Sequence, residues 1–299
     1  MDIDICACTY RRTHVAETLR SLARLVLKPD WKIRVIVADN DDAANARAPV
    51  EATARECGLT LTYIHAPARN ISVARNACLD AATAPLVAFI DDDEIAEPGW
   101  LAALVATLES SKADAVLGPV RAVYGPEYPT WMRAGDFHST KPVWVKGEIR
   151  TGYTCNVLLR RSAAALQGLR FRKEFGRTGG EDTIFFAALY RAGGKIAFAP
   201  DAVVTEAVPA ERATFWWLLK RRFRAGQTHG LLLLEDSGMD ILARAKNIIV
   251  AGAKADFCLF VAAFNIARSE RLRYWLLRGT LHAGVVARLL SGRGFGHYG

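Results

Sequence analysis

The stretch Phe89-Ile90-Asp91-Asp92-Asp93-Glu94 changes from apolar side chains to consecutive carboxylates near the end of the first third of the chain. If the apolar part is a strand, Asp91 and Asp93 share one face while Asp92 points away, because side chains alternate along a strand. Carboxylate oxygens are the ligands that Mg²⁺ and Mn²⁺ prefer. The cluster is therefore a candidate site for a divalent cation that acts on phosphates. An acidic turn ahead of a helix at Pro98 is the alternative, and the cluster alone leaves both open.

Strand-like runs and helical patterns alternate on the N-terminal side of this cluster. The short apolar or β-branched runs are residues 3–9, 33–39, 61–65 and 86–90. Between the first two, Val15, Leu19, Leu22 and Val26 recur with the 3.6-residue period of a helix. This alternation predicts an α/β fold, Rossmann-like, with a mostly parallel sheet and helices on both faces.

Polar residues follow each predicted strand, at the edge where open parallel sheets bind ligands. They are Thr9-Tyr10-Arg11-Arg12, Asp39-Asn40-Asp41-Asp42, Arg69-Asn70 and the Asp91 cluster. Acids and arginines in one crevice suit a nucleotide diphosphate whose charge is shared between a cation and arginines. Neither a Gly-x-Gly-x-x-Gly loop nor a Walker lysine motif follows the first strand, which argues against a dinucleotide dehydrogenase and a P-loop NTPase.

A second pair of acids, Glu181-Asp182, follows glycines and precedes a helical pattern from Thr183 to Arg191. A carboxylate in the first turn of a helix stays ionised near neutrality, as a general base must. An N-terminal cap is the alternative role, because Asp and Glu are common there.

Composition and charge set broad limits on the class of protein. Hydrophobic residues make up 51% of the 299 residues and charged residues 23%, as in a globular protein. Six cysteines without a Cys-x-x-Cys pair, and acids at Asp2 and Asp4 where a signal peptide would be basic, predict a cytoplasmic protein. The net charge of +8 comes mostly from the C-terminal third. No nucleic-acid-binding motif accompanies it, so we expect no nucleic acid partner.

Taken in order, these motifs resemble glycosyltransferase family 2, the inverting enzymes with the GT-A fold. The matching motifs are Cys8-Thr9-Tyr10-Arg11-Arg12 for the nucleotide-binding opening, Asp39 for the acid on the base, Ala74-Arg75-Asn76 for the A-R-N helix, Asp91-Asp92-Asp93 for the D-x-D motif and Glu181-Asp182 for the E-D base motif. The resemblance covers residues 1–230. Arg221-Arg222-Phe223-Arg224-Ala225-Gly226 and the end Tyr298-Gly299 are most similar to bacterial exopolysaccharide transferases of the succinoglycan type.

The resemblance implies roles for individual residues. The implied ligands of the nucleotide-sugar are Thr9, Tyr10, Arg11, Asp39, Arg75, Asp91, Asp92, Arg221, Arg222 and Arg224. The cation, Mg²⁺ or Mn²⁺, would be held by Asp91, Asp93 and Glu206, where Glu206 stands in for a histidine of many family members. Asp182, beside Glu181, would take the proton of the acceptor hydroxyl that attacks the anomeric carbon. Without the resemblance, the arginines would be interpreted as a solvated helix face.

The resemblance also implies a domain plan and a function. A GT-A catalytic domain would span 1–230, with a nucleotide-binding half at 1–120 and an acceptor-facing half at 121–230, before a basic helical extension at 231–299. The implied reaction moves a hexose from a UDP-sugar to a saccharide or lipid-linked acceptor in surface polysaccharide synthesis. Two alternatives stay open: an inactive sugar-nucleotide-binding scaffold of a polysaccharide complex, and a nucleotidyltransferase.

The C-terminal third has helical patterns at 215–234 and 247–290. Its longest uncharged apolar run, Phe257 to Ala267, has 11 residues and is too short to span a bilayer. The run Trp275-Leu276-Leu277 lies among basic residues that are typical of helices on an anionic membrane: Arg268, Arg271, Arg273, Arg278 and Arg288. We therefore expect peripheral contact with the inner face of the cell membrane. Packing on the catalytic domain or on another subunit is the alternative.

Overall fold

The computed structural model describes residues 1–12, 14–238 and 240–291. The C-terminal Tyr298-Gly299 lies outside the described residues. The chain divides into two compact units: the sheet unit, residues 1–123 and 139–207, and the helical unit, residues 124–138 and the chain from 208 onward. The division at residue 230 stays a prediction, and one helix runs without a break through that residue.

The helices are α1 Val15–Leu22, α2 Arg47–Glu56, α3 Ile71–Ala81, α4 Trp100–Ser111, α5 Thr130–Gly135, α6 Glu181–Arg191, α7 Phe215–Ser237, α8 Ile241–Ala263 and α9 Ser269–Ser291. The strands are β1 Asp2–Thr9, β2 Lys32–Asp39, β3 Leu61–His65, β4 Leu86–Ile90, β5 Glu94–Ala96, β6 Ala115–Leu117, β7 Val120–Val123, β8 Trp144–Val145, β9 Glu148–Ile149, β10 Asn156–Arg160, β11 Ile196–Phe198 and β12 Val204–Ala207.

A seven-stranded sheet runs in the order β11-β6-β10-β4-β1-β2-β3. Strands β1 to β4 pair in parallel, as does β11 with β6, while β10 is antiparallel to both of its neighbours. The predicted α/β fold with a mostly parallel sheet is confirmed, and the four predicted strands are β1 to β4. The predicted helix of Val15 and Leu19 is also present, but Val26 lies beyond its end and is 68% exposed.

Helices cover both faces of this sheet. Along β1, Ile3 and Ile5 belong to one apolar core, which also contains buried side chains of α1, α2 and α4. Cys6 points to the opposite core, which contains side chains of α3 and α6. The alternation of side chains along the strand is thus matched by two separate cores.

The helical unit is built on three helices of 23 residues each, α7, α8 and α9, with α9 packed against both others. Its tightest packing is the approach of α7 to α9 at two glycines. A Cβ on Gly226 would lie 1.9 Å from the carbonyl oxygen of Leu281, and one on Gly284 would lie 2.1 Å from that of Phe223. Glycine at both positions therefore lets the two backbones approach this closely. Among the described residues, no helix combines the length and apolar character required to cross a membrane.

Candidate active site

Arg75 on α3 connects the two acidic motifs of the sheet unit. Its guanidinium is buried, donates Nη1 to Oε1 of Glu181, and places Nη2 3.7 Å from Oδ1 of Asp91. Burial opposes the charged form, but Glu181, Asp91 and Asp182 together raise the pKa of Arg75. The Asp91 cluster and the Glu181-Asp182 pair, far apart in the sequence, therefore meet at one arginine that stays charged.

The two acids of the pair have different surroundings. Glu181 is buried, and burial raises the pKa of its carboxyl although Arg75 counteracts this effect. Asp182 is partly exposed, and its Oδ1 accepts hydrogen bonds from the backbone nitrogen of Thr183 at 2.6 Å and from the Thr183 hydroxyl at 3.3 Å. Asp182 is therefore the acid of the pair that an incoming hydroxyl group could reach.

The carboxylates after β4 form a cluster with a residue that the sequence does not single out. Asp91, Glu94 and Cys155 each place one potential metal ligand within 4.8 Å of the others. Glu94 is buried, and its Oε2 accepts from the backbone nitrogen of Asp91 at 3.0 Å. Burial raises the pKa of the Cys155 thiol well above its usual range. A protonated thiol is a poor ligand for Mg²⁺ or Mn²⁺, so the oxygen atoms are the suitable ligands.

The charges of this cluster fit a divalent cation. Burial and the acids Asp93, Asp92 and Glu206 raise the pKa of Asp91 to about 7, against the opposite effect of Arg75. Glu206 on β12 stands directly opposite Glu94 on β5. Carboxylates that repel one another in this way favour binding of an additional positive charge. The choice of Asp91, Asp93 and Glu206 as the metal ligands stays a prediction.

Arg12 belongs to the motif predicted to form the nucleotide-binding opening, but the sequence assigns no individual contact to it. Its Nη1 donates to Oδ1 of Asp92 at 2.9 Å and to Oδ2 of Asp93 at 2.5 Å. Because β1 pairs with β4, the residues after these two strands lie side by side. The sequence shows a basic residue directly after β1. Its contact with Asp92 and Asp93 can be inferred only once it is known that β1 pairs with β4.

The residues after β2 form an ordered loop around Asp39. This carboxylate is fully buried and accepts from the backbone nitrogen of Asp41 at 3.0 Å, from that of Ala46 at 3.2 Å and from the Tyr63 hydroxyl at 2.5 Å. Burial and the bond to Asp39 raise the pKa of Tyr63. Asp39 therefore orders the loop through its own contacts, and its role toward a nucleotide base stays a prediction.

Three more of the predicted nucleotide ligands, at the end of β1, lie beside this loop. Arg11, with a positive φ of 55°, donates Nε to Oδ1 of Asp41 at 2.9 Å. Tyr10 is 38% exposed, whereas Thr9 is buried. The ends of β1 and β2 thus form one edge lined by the predicted ligands.

Helix α3 also holds the segment that leads to Glu181-Asp182. The amide of Asn76 makes two backbone hydrogen bonds with Phe171, donating to its carbonyl at 2.8 Å and accepting from its nitrogen at 2.9 Å. Asn70 donates to the carbonyl of Lys173 at 2.8 Å. A Cβ on Gly176 would lie 1.8 Å from Oδ1 of Asn70, so Gly176 approaches Asn70 too closely for any larger residue. Residues 171–176 are therefore docked on the start of α3, which carries Arg75.

The family model described as "Glycosyl transferase family 2" matches residues 4–166, more than half of the chain. The chain belongs to glycosyltransferase family 2. The succinoglycan biosynthesis protein ExoM of Rhizobium meliloti (strain 1021) is 53% identical over 299 residues, which cover 100% of this chain and 96% of ExoM. Both findings confirm the resemblance predicted from the motifs.

Two solved structures show the same fold. The mannosyltransferase PcManGT from Pyrobaculum calidifontis, in complex with GDP-Man and Mn²⁺, has a TM-score of 0.67 at 18% identity and covers 98% of this chain and 88% of its own. S. aureus TarS 1–349 in complex with UDP-GlcNAc has a TM-score of 0.57 at 16% identity, covering 98% and 93%. The predicted GT-A fold of this family 2 member is confirmed.

The arginines predicted to bind the diphosphate lie on α7, in the helical unit of this glycosyltransferase family 2 chain. Arg221 lies over the ring of Trp217, with 5.3 Å between the guanidinium carbon and the ring centroid. Burial, and then the charge of Arg221, lower the pKa of Arg222. The role of these two residues and of Arg224 toward the diphosphate stays a prediction.

We expect Asn76→Ala to lower kcat of this family 2 enzyme by about tenfold, because the segment before Asp182 loses the two hydrogen bonds of the Asn76 amide and a small misplacement of a catalytic group is costly. The stability should fall by about 1–2 kcal/mol. Steady-state kinetics and urea unfolding measure the two effects. Asn265→Ala, which removes an amide hydrogen bond in the helical unit, is the control and should leave kcat unchanged. A kcat for Asn76→Ala equal to that of the control would contradict the positioning role.

Proposed function

We propose that the protein is an inverting glycosyltransferase that moves a hexose from a UDP-sugar to a saccharide or lipid-linked acceptor in surface polysaccharide synthesis. The observation that carries this proposal is the contact of Arg75 with both Asp91 and Glu181. The family, the likeness to a succinoglycan biosynthesis protein and the UDP-GlcNAc bound to a structural neighbour support the substrate class. The same findings favour this function over the nucleotidyltransferase alternative.

Asp182 is the proposed general base. It lies in the first turn of α6, where the positive end of the helix favours a negatively charged side chain, and its partial exposure makes it accessible to an acceptor. It removes the proton of the acceptor hydroxyl while that oxygen forms the new bond to the anomeric carbon. The bond to the diphosphate breaks on the opposite face, so UDP leaves and the configuration inverts in one displacement. Glu181 holds Arg75 in place.

The donor side of the proposed site consists of ligands for the nucleotide-sugar and ligands for a divalent cation. Thr9, Tyr10, Arg11, Asp39, Arg75, Asp91 and Asp92 are the proposed nucleotide-sugar ligands, together with Arg221, Arg222 and Arg224. Asp91, Asp93 and Glu206 would hold Mg²⁺ or Mn²⁺, with Glu94 adjacent. When bound, the cation supplies positive charge to the leaving diphosphate. Arg12, through Asp92 and Asp93, orients the carboxylates.

Calorimetric titration with UDP, GDP and ADP, first with Mn²⁺ and then with EDTA, tests the donor assignment. We expect UDP to bind most tightly, and EDTA to weaken its binding by at least about tenfold, since the cation shares the charge of the diphosphate. Asp93→Ala should remove the dependence on Mn²⁺. Binding of UDP without turnover of any UDP-sugar would instead support the inactive scaffold, and absence of binding to all three nucleotides would contradict the donor class.

We also infer that the enzyme works in the cytoplasm, peripherally at the inner face of the cell membrane. The basic surplus of the C-terminal third supports this location, because anionic lipids attract such segments. A lipid-linked acceptor would be met at the same surface.

A further inference from the structure

Helix α8 turns its large apolar side chains away from the rest of the helical unit. Its buried residues are small: Ala251, Cys258 and Ala262. Ile248 and Val261 are partly buried, but seven other large residues of α8 and the residue after its end are between 42% and 81% exposed: Ile241, Leu242, Ile249, Val250, Phe257, Leu259, Phe260 and Phe264. A surface helix ordinarily turns its apolar stripe to the core, so this reversed pattern marks an interaction surface.

These exposed residues lie on one side of the helix, which we name the α8 face and define by Leu242, Ile249, Phe257, Phe260 and Phe264. At 100° per residue, the directions of Leu242, Ile249 and Phe260 agree within about 20°. The rings of Phe260 and Phe264 are 4.7 Å apart. Over its 23 residues α8 is about 34 Å long. The α8 face is therefore an extended apolar strip rather than a set of scattered side chains.

Basic side chains border the α8 face. Lys246 and Lys254 on the helix itself are exposed, as are Arg268 and Arg271 soon after its end. Arg278 lies over the ring of Trp275 at 5.7 Å, and that ring packs edge-on against Phe257 at 5.8 Å. From residue 208 onward the chain has 14 Lys and Arg against 6 Asp and Glu. The surroundings of the strip are thus complementary to an anionic surface.

Helix α9, which carries the residues predicted to meet the membrane, is the central helix of the unit. It packs against both α7 and α8, and Leu277 is buried. The sequence shows that this region is basic and amphipathic, but among the described residues of the three long helices α8 carries most of the exposed large apolar side chains.

We propose that the α8 face lies on a membrane that contains anionic phospholipid. The apolar side chains would enter the boundary between headgroups and acyl chains, while the bordering lysines and arginines contact lipid phosphates. A second copy of the chain fits less well, because the basic borders of the two copies would be brought together. Asp256 is the one acid between Ile241 and Ala263, and it is exposed on this side of the helix. Its negative charge therefore weakens the attraction to an anionic membrane, so replacing Asp256 with a basic residue should strengthen membrane binding.

Co-sedimentation of the full chain with vesicles tests the proposal without any donor or acceptor, so the α8 face and the proposed membrane location can fail while the proposed sugar transfer stands. We expect binding to vesicles of phosphatidylcholine mixed with phosphatidylglycerol, weaker binding to phosphatidylcholine alone, and loss of binding as salt is raised. The double variant Ile249→Glu/Phe260→Glu should bind at least about tenfold more weakly. Asp256→Lys should bind about fivefold more tightly.

Val26→Glu is the control for the change in charge, because it introduces one glutamate, half of the charge of the double variant, at an apolar residue of the sheet unit that is 68% exposed. Its vesicle binding should equal that of the wild type. No binding of the wild type to the mixed vesicles would overturn the proposal. So would unchanged vesicle binding by the double variant; if sedimentation velocity then showed that this variant had lost an oligomer, a second copy would be the occupant.

Discussion

Asp182→Asn should lower kcat for sugar transfer by about 10³-fold while changing the Kd for UDP by less than about twofold, because proton removal from the acceptor depends on its negative charge and Asp182 is not among the proposed UDP ligands. The asparagine keeps the size of the side chain, and its oxygen can still accept the hydrogen bonds that Thr183 donates. The start of α6 should therefore keep its structure. Steady-state transfer assays and calorimetry with UDP and Mn²⁺ measure the two quantities on the same preparation.

Glu109→Gln is the control for this substitution, since it neutralises an exposed carboxylate near the end of α4. It should leave both kcat and Kd at wild-type values. Near-normal turnover by Asp182→Asn would remove Asp182 as the base. A parallel loss of UDP binding would show instead that the substitution disturbs the donor site.

Arg75→Met should lower the free energy of unfolding by about 3–5 kcal/mol, because it leaves Glu181 buried beside Asp91 and Asp182 without its cation. It should also lower transfer activity strongly, since Asp91 and the Glu181-Asp182 pair lose the group that joins them. The pKa of Glu181, already raised by burial, should rise further without the opposing charge. Urea unfolding at neutral pH, followed by transfer assays, measures both losses.

Two further variants separate the buried pair from an ordinary ion pair. Arg75→Met combined with Glu181→Leu removes both charges, so most of the stability should return while activity stays low. Arg170→Met breaks the exposed pair with Asp80 and should cost less than about 1 kcal/mol. If Arg75→Met lowered the free energy of unfolding as little as Arg170→Met, the contact of Arg75 with Glu181 would have no central role in this site.

The strands and the acids after them could be predicted because their signals are local. The runs that become β1 to β4 are short, apolar and separated by helical patterns, so their type follows from periodicity. Asp182 could be placed at a helix start because glycines precede it and a helical pattern follows it. The resemblance to family 2 rests on the same short motifs.

The contacts inside the site could not be predicted, because they depend on strand order and on residues far apart in the chain. Arg75 and Glu181 are 106 positions apart. Arg12 reaches Asp92 only because β4 pairs with β1, and Glu94 meets Glu206 only because β5 pairs with β12. None of these pairings has a local signature.

The exposed apolar side of α8 could not be predicted for a different reason. Apolar spacing shows that α8 and α9 are helices, but periodicity does not tell which side packs inward. Small residues at Ala251, Cys258 and Ala262 let α8 pack closely on its neighbour, so the larger side chains of the helix remain outside.

The most direct test of the central claim is time-resolved proton NMR of the purified enzyme with the diamagnetic Mg²⁺ and UDP-α-D-glucose, UDP-α-D-galactose or UDP-α-D-N-acetylglucosamine, with water as the acceptor. The anomeric proton of the released sugar reports its configuration before mutarotation. We predict that one of these donors is turned over, that the β-anomer is formed first, and that Asp182→Asn abolishes the signal. Release of the α-anomer first would contradict the single displacement. If the enzyme bound UDP tightly but turned over none of the three donors, the proposal that it is a catalyst would be contradicted.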